Sequence, residues 1–303
     1  MNFHLEHSVN QQVILSNNSG VTLCIKREDT IHPFVSGNKY RKLKYNLLEA
    51  EKLGYKTLLT FGGAFSNHIA AVASVGKLMG FKTIGVIRGD ELKASIKDNA
   101  TLCFSQQCGM QFKFVSRETY REKESEVFIE TLKAEFGDFY LIPEGGTNAL
   151  AVKGCEEILT SEDDAFDYIC CAVGTGGTIS GLVNCSKPSQ QVLGFPVLKG
   201  NFLQQDISKF VTKTNWELKT DYHFGGYAKI NAKLITFINQ FKKEYNILLD
   251  PVYTGKMMFG ILDLIEKGYF PNGTKILAIH TGGLQGIAGM NAVLKRKNLP
   301  LIE

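Results

Sequence analysis

The sequence predicts an α/β protein built on parallel sheets. Short apolar runs alternate with segments whose apolar residues recur at helical spacing along most of the chain, which is typical of βαβ units. Several of the apolar runs end in glycine-rich turns, at the position where the strands of α/β proteins meet their ligands. With 303 residues and 44% hydrophobic content, the chain is long enough to bury a substantial core.

Two helices and seven strands are predicted from periodicity. The first helix carries Leu43, Leu47, Ala50 and Leu53, and the second carries Ile69, Val72, Val75 and Leu78. The runs KTLLTFG and FKTIGVIRG follow these helices as strands, and further strands are predicted at 111–115, 139–142, 168–173, 192–197 and 275–280. The strands form two groups, which predicts a middle domain around 44–140. The weak periodicity of 199–227 predicts no element.

Composition argues against several classes of protein. The net charge is only +4, and 30 acidic residues are interspersed with 34 basic ones, so no cationic field indicates nucleic-acid binding. No apolar run approaches the ~18 residues of a membrane span. The N-terminus lacks a basic segment followed by a long apolar one, so a cytoplasmic protein is expected. The seven cysteines are odd in number and include no CxxC pair, which predicts reduced and mostly buried thiols.

The stretch SGNKYRKLKYN concentrates positive charge after a Ser-Gly-Asn turn, with Lys39, Arg41, Lys42 and Lys44 in six positions. Such a run can bind nucleic acid, form the solvated face of a helix, or contain one reactive lysine whose neighbours hold an anion. The small net charge argues against the first alternative.

The strongest physical signal is YICCAVGTGGTISGLV, in which a buried strand leads through a loop into a helix. The loop consists of Gly174, Thr175, Gly176, Gly177 and Thr178. Free backbone N–H groups and the positive helix end suit a phosphate, and the threonines add hydroxyl donors. The spacing matches neither a dinucleotide fingerprint nor a Walker motif, so a monophosphate is predicted. The alternative is a tight turn without a ligand.

Three weaker motifs accompany this loop. In TFGGAFSNHIAAVA, Ser66, Asn67 and His68 begin a helix and can bind a polar group, or Ser66 can simply cap the helix and His68 can pack. In DPVYTGK, Tyr253 can face a pocket or pack in the core. In AIHTGGLQG, Thr281 lies at the carboxyl end of a predicted sheet strand, where α/β proteins place ligands.

Taken together, six blocks occur in an order that resembles the pyridoxal-phosphate enzymes of the 1-aminocyclopropane-1-carboxylate deaminase and D-cysteine desulfhydrase family. They are IKREDTIHPFVSGNKYRKL, FGGAFSNH, PEGGTNALAVKG, GTGGTISG, DPVYTGK and IHTGG. The resemblance spans nearly the whole chain. It implies a tryptophan-synthase-β-like fold of type II, with two parallel-sheet α/β domains. The large cofactor domain would comprise 1–43 and 141–303, and the small inserted domain 44–140.

The resemblance also implies roles for individual residues. Lys39 would bind pyridoxal phosphate covalently, and Lys42, one helical turn further on, would join Gly174, Thr175, Gly176, Gly177 and Thr178 in holding its phosphate. Asn67 would contact the ring hydroxyl, while Ser66, Asn67 and His68 would bind the substrate carboxylate. Tyr253 and Tyr227 would face the substrate, although FGGYAK departs from the GYG pattern expected around Tyr227. Arg41 and Lys44 would be solvated or paired with carboxylates.

The implied activity is that of a homodimeric, cytoplasmic lyase that converts a small amino acid, D-cysteine above others, to pyruvate, ammonia and sulfide. The alternatives are a cyclopropane-carboxylate deaminase and a phosphate-ligand-binding protein without catalysis. The related deaminases carry a glutamate at the position of Thr254, so the hydroxyls of Thr254 and Thr281 are the predicted partners of the ring nitrogen. A hydroxyl suits a thiol leaving group better than opening of a cyclopropane.

Overall fold

The computed structural model describes residues 4–15, 19–35 and 37–303, which form ten strands and ten α-helices. The strands are β1 (Asn10–Val13), β2 (Thr22–Lys26), β3 (Thr57–Gly62), β4 (Lys82–Arg88), β5 (Gln111–Val115), β6 (Tyr140–Ile142), β7 (Tyr168–Val173), β8 (Gln191–Pro196), β9 (Trp216–Leu218) and β10 (Lys275–Ile279). The helices are α1 (Asn38–Lys52), α2 (Asn67–Met79), α3 (Ala100–Gln107), α4 (Glu126–Phe136), α5 (Ala149–Cys155), α6 (Gly177–Cys185), α7 (Phe202–Ser208), α8 (Ala232–Tyr245), α9 (Thr254–Glu266) and α10 (Gly286–Arg296).

The strands form two sheets. The larger sheet has the order β1-β2-β10-β7-β8-β9 and is parallel except for the β1–β2 pair, which is antiparallel. The smaller sheet has the order β5-β4-β3-β6 and is parallel throughout. The predicted α/β class with two parallel-sheet units is therefore confirmed.

Both faces of the larger sheet are buried, which explains why its strands are continuous apolar runs. Cys170 packs with α8 and α9 on one face, whereas the adjacent Cys171 packs with α6 on the other. Side chains that alternate along a strand point to opposite faces, so each residue of β7 contributes to one core or the other. All seven cysteines are free; Cys155, Cys170 and Cys171 are buried, and the rest are partly exposed.

All seven predicted strands are present, with shifts of no more than a residue or two at their ends. The sequence analysis missed β1, β2 and β9. Two of these are edge strands of four and three residues, too short to show a period. Trp216 lies in β9, within the unassigned segment 199–227.

The smaller sheet uses only residues between 57 and 142, and the larger sheet uses residues on either side of that segment. This arrangement agrees with a small unit inserted into a larger one. The predicted boundary at 140–141 falls inside β6, which pairs with β3 of the smaller sheet. The domain limits stay a prediction.

The helices of the described residues include none that is both long enough and apolar enough to cross a membrane.

The basic run at the start of α1 is largely paired. Arg41 is buried and forms two hydrogen bonds with the carboxylate of the buried Glu28, at 2.7 and 2.8 Å. Lys44 forms a 2.7 Å ion pair with Glu157. Of the two alternatives proposed for these cations, pairing with carboxylates is the one that the structure contains. Lys39 and Lys42 have no such carboxylate partner among the described residues.

Candidate active site

A cavity of ≈ 1070 Å³ lies where the carboxyl ends of strands from both sheets meet. Of the fourteen residues predicted for the site, twelve line this cavity; the two that do not are Gly177 and Thr254. The fold therefore brings residues that are far apart in sequence to one cavity. The roles of the individual side chains follow from their contacts.

Lys39 occupies the first turn of α1, and its Nζ atom donates a hydrogen bond to Asn38 Oδ1 at 3.2 Å. Burial, reinforced by the positive charge of Lys42, lowers the pKa of Lys39 from its ordinary value to about 7. A primary amine with this pKa is substantially neutral at physiological pH. Lys39 is thus available as a nucleophile or as a base.

Lys42 is buried and contacts only neutral groups. Its Nζ atom lies 3.0 Å from the Gly145 carbonyl oxygen, 2.9 Å from Thr147 Oγ1 and 3.3 Å from Thr175 Oγ1. Burial lowers its pKa to about 8. A buried ammonium group with no carboxylate partner is costly, which favours a site that is completed by an anionic ligand.

The loop from Gly174 to Thr178, here called the phosphate loop, joins β7 to α6. Gly176 precedes the helix with φ +85, a left-handed conformation that favours glycine. Gly177 lets the side chains of Thr147 and Lys42 approach its backbone closely. A Cβ atom at this position would lie 2.8 Å from Thr147 Oγ1 and 3.1 Å from Lys42 Cε. The absence of a side chain at Gly177 therefore makes room for Lys42 and Thr147, and the predicted approach of its backbone to the phosphate stays a prediction.

Asn38, which the sequence analysis did not single out, joins α1 to this loop. Its Nδ2 atom donates to Thr178 Oγ1 at 2.9 Å, while its Oδ1 atom accepts from Lys39. The reactive lysine and the phosphate loop are therefore held in one hydrogen-bonded unit.

The sequence model of the pyridoxal-phosphate-dependent enzymes matches residues 11–282, which is most of the chain. This chain belongs to that family. The predicted family and cofactor are thereby confirmed.

Several relatives resemble this pyridoxal-phosphate-dependent enzyme along nearly its whole length. A Pyrococcus horikoshii protein, provisionally named a 1-aminocyclopropane-1-carboxylate deaminase, is 34% identical over 291 residues, covering 90% of this chain and 87% of that protein. A bifunctional D-cysteine desulfhydrase/1-aminocyclopropane-1-carboxylate deaminase of Arabidopsis thaliana is 30% identical over 298 residues, covering 89% and 74%. A crystal structure of an ACC deaminase homologue superimposes with a TM-score of 0.83 at 30% identity, covering 96% of this chain and 93% of that one.

The residues of this pyridoxal-phosphate-dependent enzyme fit its cofactor. Lys42, together with Thr175 and Thr178 of the phosphate loop, supplies a buried cation and hydroxyl donors suited to a phosphate. Lys39 supplies an amine of lowered pKa on the same side of α1. Lys42 and the phosphate loop would hold the phosphate, and Lys39 would bond to the aldehyde carbon.

Ser66 and His68 have partners within the protein. Ser66 Oγ accepts hydrogen bonds from the backbone N–H groups of His68 at 3.2 Å and Ile69 at 3.4 Å, so it caps α2 while it also lines the cavity. His68 is buried, and its Nε2 atom lies 2.8 Å from Thr60 Oγ1, which donates its own proton to the Ile142 carbonyl. Nε2 is therefore the donor.

His68 is held neutral, because burial and then the charges of Lys39 and Lys42 lower its pKa well below the ordinary value. With the proton on Nε2, the buried Nδ1 atom is an acceptor with no partner among the described residues. A neutral acceptor is poorly suited to a carboxylate. The predicted carboxylate contact of His68 stays a prediction, and its backbone N–H group already donates to Ser66 Oγ.

Asn67, at the first position of α2, contacts the loop that precedes α10. A Cβ atom on Gly283 would lie 2.7 Å from its Nδ2 atom, and one on Gly286 would lie 3.3 Å from its Oδ1 atom. Thr281, two residues before Gly283, is also buried in the cavity wall. Asn67 and Thr281 thus belong to one side of the cavity. Their predicted contacts with the cofactor ring stay predictions.

Tyr253 and Tyr227 form an aromatic pair in the cavity wall, with centroids 6.2 Å apart and ring planes at 71°. Tyr253 also packs on the phosphate loop, because a Cβ atom on Gly174 would lie 3.1 Å from its Cε1 atom. Burial, followed by Tyr227 and Asp250, raises the pKa of Tyr253 well above its ordinary value, so its phenol remains protonated.

The loop that carries Tyr227 is conformationally strained. Phe224 and Ala228 have φ values of 53 and 54, which are uncommon for residues with a side chain. The buried Lys256 holds this loop, since its Nζ atom donates to the carbonyl oxygens of His223 at 2.9 Å and Gly226 at 2.8 Å. Burial lowers the pKa of Lys256 to about 8. Nothing in the motif DPVYTGK indicated this role of its lysine.

Thr254 is fully buried behind the cavity wall, and its hydroxyl is bonded to Asp250. It donates to Asp250 Oδ2 at 2.9 Å and accepts from the Asp250 N–H group at 2.9 Å. The Asp250 carboxylate also accepts the backbone N–H groups of residues 252–254 and itself lines the cavity. The predicted contact between Thr254 and the ring nitrogen stays a prediction. It requires the threonine hydroxyl to give up its hydrogen bond to Asp250 Oδ2.

Proposed function

We propose that this enzyme eliminates the β-substituent of a small amino acid, and that D-cysteine is such a substrate, giving pyruvate, ammonia and sulfide. The observation that carries the proposal is that Lys39, whose pKa is lowered to about 7, shares one cavity with the buried Lys42, the phosphate loop, Ser66 and Asn67. The names of the relatives, which include D-cysteine desulfhydrases, support the same chemistry.

The chain supplies binding, orientation and proton transfer. Bound pyridoxal phosphate supplies the electron sink that makes the substrate's Cα proton acidic. Lys39 Nζ is the base that removes this proton, because its lowered pKa leaves a large neutral fraction at neutral pH. The Ser66 hydroxyl donates to the substrate carboxylate and orients it at the start of α2, where the helix end also favours negative charge. Tyr253, held protonated, can donate to the departing group.

A second candidate is deamination of 1-aminocyclopropane-1-carboxylate, which the names of other relatives support. A specific observation favours this candidate: although a threonine, Thr254, stands where the related deaminases carry a glutamate, the Asp250 carboxylate is hydrogen-bonded to that threonine and lines the cavity. A carboxylate near the ring nitrogen strengthens the electron sink that ring opening needs.

The test supplies both compounds to one cofactor-loaded preparation and measures keto-acid, ammonia and sulfide release. The proposal predicts pyruvate and sulfide from D-cysteine at a rate well above ammonia release from the cyclopropane acid. Faster turnover of the cyclopropane acid would favour the second candidate. If the loaded protein turns over neither of these nor any other β-substituted amino acid of either configuration, it is a binding protein.

We also propose that the enzyme works as a homodimer in the cytoplasm, as expected from the sequence. Light scattering of the cofactor-loaded protein, compared with the 33.6 kDa mass of one chain, tests the dimer. Fractionation of the source cells tests the location.

A further inference from the structure

A group of cations borders the active-site cavity where β4 and the segment after β5 approach it. Arg88, Arg117, Arg121 and Lys123, with Tyr120 and Glu144, surround an adjoining hollow of ≈ 390 Å³. Arg88, Arg117, Lys123 and Glu144 also line the main cavity, so the two spaces are adjacent. With four cations and one carboxylate, the hollow has a formal net charge of +3.

Most polar groups of this hollow have partners. Arg117 forms a 2.5 Å ion pair with Glu91. Glu144 accepts a hydrogen bond from Tyr120 at 2.9 Å and forms a 3.5 Å ion pair with Lys123. Arg88 and Arg121 differ, because among the described residues no carboxylate lies within ion-pair distance of either. Of these two arginines, Arg88 alone also lines the main cavity. Its guanidinium lies over the Tyr120 ring, with Cζ 5.7 Å from the centroid. Among the cations of the hollow, Arg88 is therefore the one available to a ligand of the main cavity.

Arg88 also lies beside the segment from Gly63 to Ser66, which joins β3 to α2 and leads to the proposed carboxylate site. It is the last residue of β4, whose neighbour β3 leads directly into Gly63 and Ser66. A Cβ atom on Gly63 would lie 3.8 Å from Arg88 Nη2, which places the guanidinium against the loop that leads to Ser66. An amino acid bound at Ser66 with its side chain toward the hollow would direct that side chain at Arg88.

We propose that Arg88 binds a second acidic group at the end of the substrate's side chain, so that the preferred substrates are small amino acids whose side chain ends in a carboxylate or another anionic oxyacid group. The proposal rests on the proposed lyase function and specifies its substrate class. An arginine fork matches such a group in charge and geometry, and a charge-assisted hydrogen bond contributes more than a neutral one. D-cysteine would be accepted without using this contact.

The binding test uses pairs of amino acids that differ only in side-chain charge and have no leaving group: aspartate with asparagine, and glutamate with glutamine, in both configurations. Titration calorimetry and the absorbance of the bound cofactor give dissociation constants for the loaded enzyme. We expect the acid of at least one pair to bind roughly ten- to hundredfold more tightly than its amide. Arg88→Gln should abolish this preference, and Arg88→Lys should retain part of it.

Arg296→Gln is the matched control, because it removes the same charge from an exposed position of α10 outside the cavity and should leave the preference intact. Equal dissociation constants for acid and amide in every pair, or a preference that survives Arg88→Gln, would overturn the proposal. If the preference depends on Arg88 but no β-substituted amino acid is turned over, the substrate class stands and the lyase function fails. The two ideas can therefore fail separately.

Discussion

Removing the charge of Lys42 should raise the pKa of Lys39 from about 7, but not as far as the ordinary lysine value. Burial is the larger cause of the lowered pKa of Lys39, and the positive charge of Lys42 is the second. In the native protein, a pKa of about 7 leaves about half of Lys39 neutral at pH 7. A lysine at its ordinary value would be neutral in only roughly one molecule in three thousand. Lys42→Met removes the repulsion while keeping the volume of the side chain, so the neutral fraction should fall without reaching the ordinary level.

The assay is competitive labelling of the cofactor-free protein with trace acetic anhydride over a range of pH, read by mass spectrometry of the lysine peptides. Acetic anhydride is uncharged and reacts with the neutral amine, so the midpoint reports the pKa directly. Lys133 is the internal control, because its hydrogen bond to Glu130 raises its pKa. A Lys39 midpoint above 9 in the native protein, or a midpoint that falls in Lys42→Met, would refute the electrostatic reasoning.

The same lowered pKa values have a consequence for stability. An unfolded lysine keeps its proton up to a pH near 10.5, whereas folded Lys39 and Lys42 lose theirs near pH 7 and 8. Between these limits the unfolded chain binds more protons, so the free energy of unfolding of the cofactor-free protein should rise with pH. Lys39→Met should therefore stabilise the cofactor-free protein more at pH 6 than at pH 9, as denaturant titration can measure. An equal effect at both pH values would contradict this.

Three further substitutions separate positioning, packing and cofactor binding. Lys256→Met should release the strained loop that carries Tyr227, lowering kcat/KM about tenfold or more while cofactor affinity changes little; a matching loss of cofactor affinity would contradict this. Thr254→Val removes one donor from the buried Asp250 and should lower the free energy of unfolding by about 1–3 kcal/mol, whereas unchanged stability with lost activity would instead support a ring contact. Gly177→Ala should weaken cofactor binding, because the new methyl group would lie 3.1 Å from Lys42 Cε; equal cofactor affinity in the variant would show that Lys42 does not hold the phosphate.

The larger helices and strands could be predicted because the spacing of apolar residues along the chain follows the side of each element that is buried. The β7 strand is buried on both faces, so its apolar run, its glycine loop and its helix were all readable. The short edge strands β1 and β9 have few buried side chains, so their sequences show no apolar period. Leu53 and Leu78 fit the predicted helical faces but are 56% and 52% exposed, because each lies where its helix ends.

Site residues could be predicted only where they belong to a distinctive local sequence motif. Lys39, Lys42 and the phosphate loop were found because charge and glycine stand out in sequence. Arg88 ends a parallel strand just before Gly89, so the signal that identified Thr281, a position at the carboxyl end of a sheet strand, also marks Arg88. The contacts of Asp250 and Lys256 depend on which carbonyl and hydroxyl groups tertiary folding brings near, and no local pattern encodes them.

The central claim, that Lys39 is the lysine that binds pyridoxal phosphate, is tested most directly by borohydride reduction of the loaded enzyme followed by peptide mapping. The cofactor mass should be found on Lys39, and Lys39→Ala should lose this labelling while retaining phosphate-dependent binding through Lys42 and the phosphate loop. Modification of Lys42 or Lys44 in the native protein, with Lys39 unlabelled, would contradict the account.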